Sequence, residues 1–269
     1  MQKWISRIVL ACLLLLLVAF PAAQAFSGSE VAILRIGKAD AILVMAAGHT
    51  VLIDAGEDED ADEILAFLGS RRIEQIDVMI ITHYDKDHVG GADGILYGIP
   101  VGILYDAHYE ADTEQYSQYL GAIKGTNTPR FRVTQELVIT LETLTLTLMP
   151  TALETDSDND RSLAVSMDDG YHTFFFAGDA EEARIEELLA GGLAPHDVVK
   201  MPHHGRDKTN LAAFLDALSP SIAVITDSDK NPAEDAVLSE LSARGIDTYQ
   251  TRDGDIRILS GETEITCIQ

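Results

Sequence analysis

Cysteine is almost missing from this chain. Only Cys12 and Cys267 occur in 269 residues, so no disulfide framework can brace it, and stability must come from an apolar core or bound metal. Cys267 sits in a closing apolar stretch with Ile265 and Ile268 and reads as a buried strand residue rather than a nucleophile. Basic charge is scarce too. Lys and Arg number 19 against 44 Asp and Glu, a net charge of −25, which removes the basic footprint of a nucleic-acid-binding surface. A phosphate-bearing substrate then needs local cations to approach, and bound metals can supply them. The acidic surface itself needs no partner, since solubility accounts for it. No low-complexity linker, internal repeat or heptad divides the sequence, which leaves one domain.

Long apolar runs are absent except for residues 8–20, IVLACLLLLLVAF, which is short for a membrane span. MQKWISR before it carries Lys3 and Arg7 and no acid, and Ala23-Gln24-Ala25 after it fits a small-residue cleavage site. That order describes a secretory signal peptide over 1–25, followed by a domain over 26–269. Export is the expected localisation, with an uncleaved amino-terminal anchor as the alternative. Cleavage would remove Cys12, Lys3 and Arg7, leaving 17 basic against 44 acidic residues, a net of −27.

The rest of the chain alternates short strands with helices. EVAILRIG, AILVM and TVLIDAG read as strands, DADEILAFLGSRR as a helix, and IDVMIIT as a strand covered on both faces. Residues 114–124 fit a second helix, while RFRV, LVITL and LTLTLMP alternate as a meander of strands. SLAVSM, HTFFFAG, DVVKMP, SIAVIT, DTYQT and DIRIL are further strands, and AEEARIEELLAG, NLAAFLDAL and AVLSELSARG further helices. The pattern predicts an α/β (α+β) fold of two sheets face to face with helices outside. The acidic run EDEDADE is a solvated helix start, Phe174 to Phe176 are core, and His49, His108, His172 and His196 read as surface or turn residues.

Ligand-type side chains gather at four strand ends. TVLIDAG ends in Asp54, VMIITHYDKDHVGG in His83, Asp85, Asp87 and His88, HTFFFAGD in Asp179, and VVKMPHHG in His203 and His204. Residues two apart in an extended segment point the same way, so His83 and Asp85 can share one metal. A turn into a helix at Lys86 lets Asp87 and His88 face a second. Asp179 has two oxygens and can bridge the pair.

His83-x-Asp85-x-Asp87-His88 with Gly90-Gly91 resembles the motif of the metallo-β-lactamase superfamily, in a variant with aspartate for the second histidine. IDAG, AGDA and MPHHG follow in that superfamily's order. More narrowly, EVAILRIGKADAILV, TVLIDAG, NDRSLAV, FFFAGDAEE, DVVKMPHHG and YQTRDGDIRI together resemble the hydrolase domain of ComEC-type competence proteins, over Glu30 to Ile258. The resemblance implies a four-layer αββα sandwich and an activity against DNA, with the membrane channel of those proteins replaced here by an export signal. It implies His83 and Asp85 at a first metal, Asp87, His88 and His203 at a second, and Asp179 between them. It also implies that Asp54 holds the main motif by hydrogen bonds. Asn159 stands where other superfamily members have a ligand histidine and takes a weaker, substrate-side role. Asp87 doubles as a catalytic residue, His204 contacts substrate or a leaving oxygen, and Ser162 is a polar strand residue near the site.

Departures from the pattern bear on substrate rather than metal. Gly205-Arg206 replaces a glycine–serine pair, Asn231-Pro232 a histidine–proline pair, and Gly37-Lys38-Ala39-Asp40 a GQGD-like turn. Arg206 and Lys208 beside the histidine pair are candidates for a cationic patch. Asp85 in place of histidine enriches the first site in oxygen and moves preference from zinc towards manganese, so either Zn2+ or Mn2+ fits the pair of ions. Three carboxylate ligands against two divalent ions leave positive charge suited to a phosphate oxygen. The leading function is therefore a secreted binuclear hydrolase that uses a metal-bound hydroxide on a phosphodiester. The alternatives are another ester, thioester or lactam as substrate, or a non-catalytic metal-dependent binding protein.

Overall fold

Apolar residues in this chain alternate towards two different cores, and that alternation builds the layers. The computed structural model describes residues 28–269; the segment expected to be a signal peptide lies outside the described residues. The chain enters through β1 (Ser29–Ile33), β2 (Ile42–Ala46), β3 (His49–Ile53), β4 (Ile76–Ile81), β5 (Val101–Ala107) and β6 (Arg130–Val133). It crosses to a second sheet for β7 (Leu137–Leu141), β8 (Leu144–Met149), β9 (Ala164–Asp168), β10 (Thr173–Phe176), β11 (Val198–Lys200), β12 (Ile222–Ile225) and β13 (Asp247–Gln250). It returns with β14 (Ile256–Ser260) and β15 (Ile265–Ile268), giving the orders β15-β14-β1-β2-β3-β4-β5-β6 and β13-β12-β11-β10-β9-β8-β7.

Period two explains the sandwich. Phe174 and Phe176 stack with ring centroids 6.4 Å apart in the core between the sheets, alongside Val31, Val44 and Ile256. Phe175 points the other way, against Ile185, Phe214 and Leu215. Four helices cover the first sheet: α1 (Ala61–Ser70), α2 (Lys86–Val89), α3 (Ala92–Gly98) and α4 (Glu114–Thr126). Three cover the second: α5 (Glu182–Gly191), α6 (Leu211–Leu218) and α7 (Asp235–Ala243). Strands packed on both faces carry near-continuous apolar runs, as IDVMII does. The expected four-layer αββα architecture is present. Among the described residues no helix is long and apolar enough to cross a membrane.

Several elements differ from the sequence reading. The meander is split, because RFRV pairs parallel with β5 in the first sheet while β7, β8 and β9 run antiparallel in the second. β5 itself went unread. Its Gly102 breaks the apolar pattern, yet a Cβ there would lie 2.7 Å from the Asp77 carbonyl oxygen, so the close approach of β4 requires glycine. His196 is not a surface residue; it is buried, with Nε2 2.7 Å from Ser166 Oγ and Nδ1 2.8 Å from the Ala194 carbonyl. Cys267 lies in edge strand β15, half-buried, its thiol pushed up to about 11 by burial, which suits packing and not nucleophilic chemistry.

The acidic helix start has a pH signature. Asp60 accepts a 2.7 Å hydrogen bond from the Glu57 N–H, while burial, and then the charges of Glu59, Glu57 and Glu63, push its carboxyl up to about 6. An acid raised in the folded state penalises folding above that value, and the penalty fades as pH falls through it. Asp60→Asn is therefore expected to stabilise at pH 7.5, by under about 1 kcal/mol given the exposure of the group. Urea unfolding at pH 7.5 and 5.0 checks this: the gain should shrink at the lower pH.

Candidate metal centre

The four strand ends converge on one rim of the sandwich. β3 and β4 of the first sheet deliver Asp54 and His83, and β10 and β11 of the second deliver Asp179 and the His203-His204 pair. Asp54 adopts a left-handed backbone (φ 59°), which turns its carboxylate inward. Asp54 Oδ1 accepts from the Thr82 N–H at 2.8 Å, and Oδ2 accepts from Thr82 Oγ1 at 2.7 Å and faces His88 Nδ1 at 2.8 Å. So the motif loop is held by hydrogen bonds that Asp54 accepts. The paired glycines matter here. A Cβ on Gly91 would stand 2.3 Å from the Ala55 carbonyl oxygen, so only glycine lets the start of α3 pack on the β3 turn.

Asp54 fixes His88 by Nδ1, leaving Nε2 for the cluster. That nitrogen lies 3.2 Å from Asp179 Oδ1 and 3.3 Å from His204 Nε2. His204 Nε2 in turn lies 3.1 Å from Asp179 Oδ2 and 3.5 Å from Asp87 Oδ2, while its Nδ1 faces Thr226 Oγ1 and the Thr226 carbonyl. Three sets of donor atoms each lie within 4.8 Å of one another: His83, His88 and Asp179; Asp87, His88 and His204; Asp40, Asp54 and His88. Buried His83 Nε2 has no hydrogen-bond partner, and Asp179 Oδ1 has only the His88 and Lys200 charges beside it, at 3.2 Å and 3.6 Å. Buried polar atoms are rarely left so, and a divalent cation would satisfy both. The donor set therefore fits metal.

The remaining expected residues lie around these sets. Asp85 sits at the mouth, its side chain 41% exposed and Oδ2 3.7 Å from His83 Nε2. His203 Nε2 is 3.9 Å from Asp179 Oδ2, and its Nδ1 faces Glu181 Oε1 at 3.3 Å and Lys208 Nζ at 3.2 Å. Among the described residues, the close donor sets contain His204 and leave out Asp85 and His203. Ser162 is buried and its Oγ accepts from the Asp179 N–H at 3.1 Å. Asn159 Nδ2 reaches Glu181 Oε1 at 3.5 Å, and its Oδ1 is buried without a partner. Arg206 is turned to Glu234, 3.5 Å away.

Backbone strain orients the histidine pair. His203 (φ 46°), His204 (φ 52°) and Gly205 (φ 76°) are all left-handed, at roughly 1–3 kcal/mol for each non-glycine residue. The His203 N–H donates to the Gly178 carbonyl at 3.2 Å and the Glu234 N–H to the Gly205 carbonyl at 3.0 Å, which hold the segment in place.

Two site residues escaped the sequence reading. Lys200, fully buried at the end of β11, has Nζ 2.5 Å from Asp40 Oδ2 and 3.6 Å from Asp179 Oδ1, and donates to the Gly178 carbonyl. Asp40 also accepts from Thr226 Oγ1 at 2.6 Å. A lysine inside the apolar strand VVKM was the available clue, since a fully buried lysine is nearly always paired. Burial pushes the carboxyls of Asp40 and Asp179 up, but neighbouring Lys200, His88 and His204 more than offset it and hold both below the usual range. Burial lowers His88, yet Asp179, Asp54 and Asp40 raise it well above the ordinary imidazole value. Burial and the His88 charge hold His83 well below that value, so its ring is neutral. Without metal, a proton on His88 does the work a cation would do.

The fold and this cluster define a metallo-β-lactamase-fold protein with a candidate metal centre. Residues 35–225 match the metallo-beta-lactamase superfamily, and the chain belongs to it. Within that class it is 28% identical over 210 residues to Recombination protein 2 of Haemophilus influenzae, covering 76% of this chain and 25% of that protein. It is 27% identical over 227 residues to ComE operon protein 3 of Bacillus subtilis, covering 76% and 29%. The chain thus spans less than a third of the length of these relatives. Among solved structures, the metallo-beta-lactamase fold protein YhfI of Bacillus subtilis superposes with a TM-score of 0.60 at 13% identity, over 90% of this chain and 100% of that one. At that identity the likeness speaks for the fold alone.

Proposed function

We propose that this chain is an exported binuclear hydrolase of phosphodiesters. The observation that carries the reading is buried His83 Nε2, which has no partner, inside a close histidine–aspartate cluster with His88 and Asp179. His83 and Asp179 would form one ligand set, with Asp85 reaching it from the mouth. Asp87, His88 and His204 supply the other, with Asp179 shared. His204 replaces His203 in the ligand role because it lies closer to both Asp179 and Asp87. Held there, two divalent ions, zinc or manganese, would supply an activated water near neutral pH and charge stabilisation for the attacked group.

The chain's own groups then divide the work. Asp54 orients His88, and Thr226 orients His204. His203 stands free of the ligand sets with its side chain 20% exposed, and burial lowers it to about 4, so the ring is neutral. Its Nδ1 faces Lys208 Nζ, a donor, and Glu181 Oε1, an acceptor, while Nε2 faces the cluster. His203 Nε2 thereby stands where it can meet a leaving oxygen.

Charge favours an anionic substrate. Six carboxylates at the site (Asp40, Asp54, Asp85, Asp87, Asp179 and Glu181) face three ammonium groups (Lys38, Lys200 and Lys208), three net negative charges. Two divalent ions would turn this to one positive charge in a chain of net −25. Likeness to competence proteins supports a nucleic-acid strand as the source of the diester.

Metal-loaded protein is expected to hydrolyse bis-p-nitrophenyl phosphate and single-stranded DNA and to spare a chromogenic lactam. Turnover of the lactam alone would overturn the phosphodiester reading. Full metal occupancy with no turnover of any of the three would make the protein a binding module.

A further inference from the structure

Two lysines at the mouth share their carboxylate partners with the site itself. Lys38 lies in the Gly37–Asp40 turn between β1 and β2, and that turn is laced to α2 by the Asp40 N–H, which donates to the Asp87 carbonyl at 3.0 Å. Its Nζ lies 2.8 Å from Asp87 Oδ2, with the side chain 24% exposed. Lys208 follows the histidine pair, buried to 7% exposure, with Nζ 3.4 Å from Glu181 Oε1 and 3.2 Å from His203 Nδ1. The other cations nearby are committed elsewhere: Arg206 to Glu234, Lys86 to Glu57, and Arg161 to Asp158. Lys38 and Lys208 come from segments 170 residues apart, yet both border the cluster: Lys38 through Asp87, whose Oδ2 lies 3.5 Å from His204 Nε2, and Lys208 through His203, whose Nε2 lies 3.9 Å from Asp179 Oδ2.

Resting on the hydrolase reading, we propose that Lys38 and Lys208 form an anion clamp for the non-bridging oxygens of a phosphodiester. Lysine suits this task as a compact charge with three donors and no acceptor. Asp87 belongs both to a metal donor set and to the Lys38 ion pair. A cation taken up by Asp87 weakens its hold on Lys38, so the ammonium becomes available as the metal-loaded site receives its anion. The clamp thus uses Lys38, where the family resemblance has a glutamine-type turn, and passes over Arg206.

Phosphate binding separates this from a merely structural ion pair. Inorganic phosphate is titrated into metal-loaded wild type, Lys38→Met, Lys38→Arg and Lys208→Gln by calorimetry, with metal content and thermal unfolding measured on the same samples. Each methionine or glutamine variant is expected to weaken phosphate binding about tenfold or more, the loss of a charged hydrogen bond. Metal content should stay at the wild-type level, Lys38→Arg should restore most of the affinity, and KM for bis-p-nitrophenyl phosphate should rise more than kcat falls. Unchanged phosphate affinity in Lys38→Met, which removes a partly exposed side chain and should fold, overturns the clamp. So does a loss of phosphate binding that merely follows a loss of metal. Wild type that binds phosphate through these lysines but turns over no phosphodiester would leave the clamp standing and sink the hydrolase reading.

Discussion

On the proposed reading, His88→Ala is expected to lose at least one of the two ions and to lower phosphodiester turnover about a thousandfold. Asp54 leaves only His88 Nε2 free to ligate an ion, and no neighbouring imidazole can replace it: His83 is turned to the first set and His204 to the second. The substitution has a second cost that separates it from ordinary ligand loss. In the metal-free protein the His88 ring lies between Asp54 Oδ2 at 2.8 Å and Asp179 Oδ1 at 3.2 Å. Alanine leaves two buried carboxylates facing a void, and removing one partner of a buried pair costs about 3–5 kcal/mol. His83→Ala is the informative contrast. Its Nε2 has no partner without metal, so that variant should lose metal while retaining most of its metal-free stability. Elemental analysis and urea unfolding in chelator check both variants. Equal destabilisation of the two, or wild-type metal content in His88→Ala, would remove the assignment of His88 as a ligand.

Much of this centre was legible because chemistry interrupts apolar strands. Asp54, His83, Asp179 and His203-His204 each follow a strand core directly, and a sandwich whose strand ends meet must collect them. The outward alternation of Phe174, Phe175 and Phe176 likewise gives two cores from one run. What could not be read depends on backbone twist or on pairs remote in sequence. Consecutive left-handed conformations at His203 and His204 decide which ring enters the cluster, and no periodicity carries that information. The meander failed for a similar reason. Residues between Val133 and Leu137 carry the chain from one sheet to the other, so strands adjacent in sequence share no hydrogen bonds. Asp40 and Lys200 each look ordinary alone, one in a turn and one ending a strand. Their contact exists only because β11 ends opposite the turn after β1, across the two sheets.

That contact carries the other large effect. Lys200→Met is expected to destabilise the metal-free protein by about 3–5 kcal/mol, because it strands Asp40 and Asp179 in the interior without their ammonium. Burial lowers the lysine's affinity for its proton, but Asp40 and then Asp179 raise it further, and the net direction is up. A lysine raised in the folded state gives its full stabilisation below its unfolded value of about 10.4, and loses it only as pH rises through the folded one. Its contribution is therefore constant across the neutral range. Relief in the variant must come from the acid side, where Asp40, deprived of its main cation, takes up a proton. The deficit should thus be smaller at pH 5.5 than at pH 7.5. It should also shrink when metal is added, since divalent charge beside Asp179 does part of what the ammonium did. Urea midpoints at both pH values, in chelator and in manganese, measure all four conditions. A deficit that ignores both pH and metal would mean that the lysine acts through its packed methylenes, and that its charge does not hold the acidic cluster together.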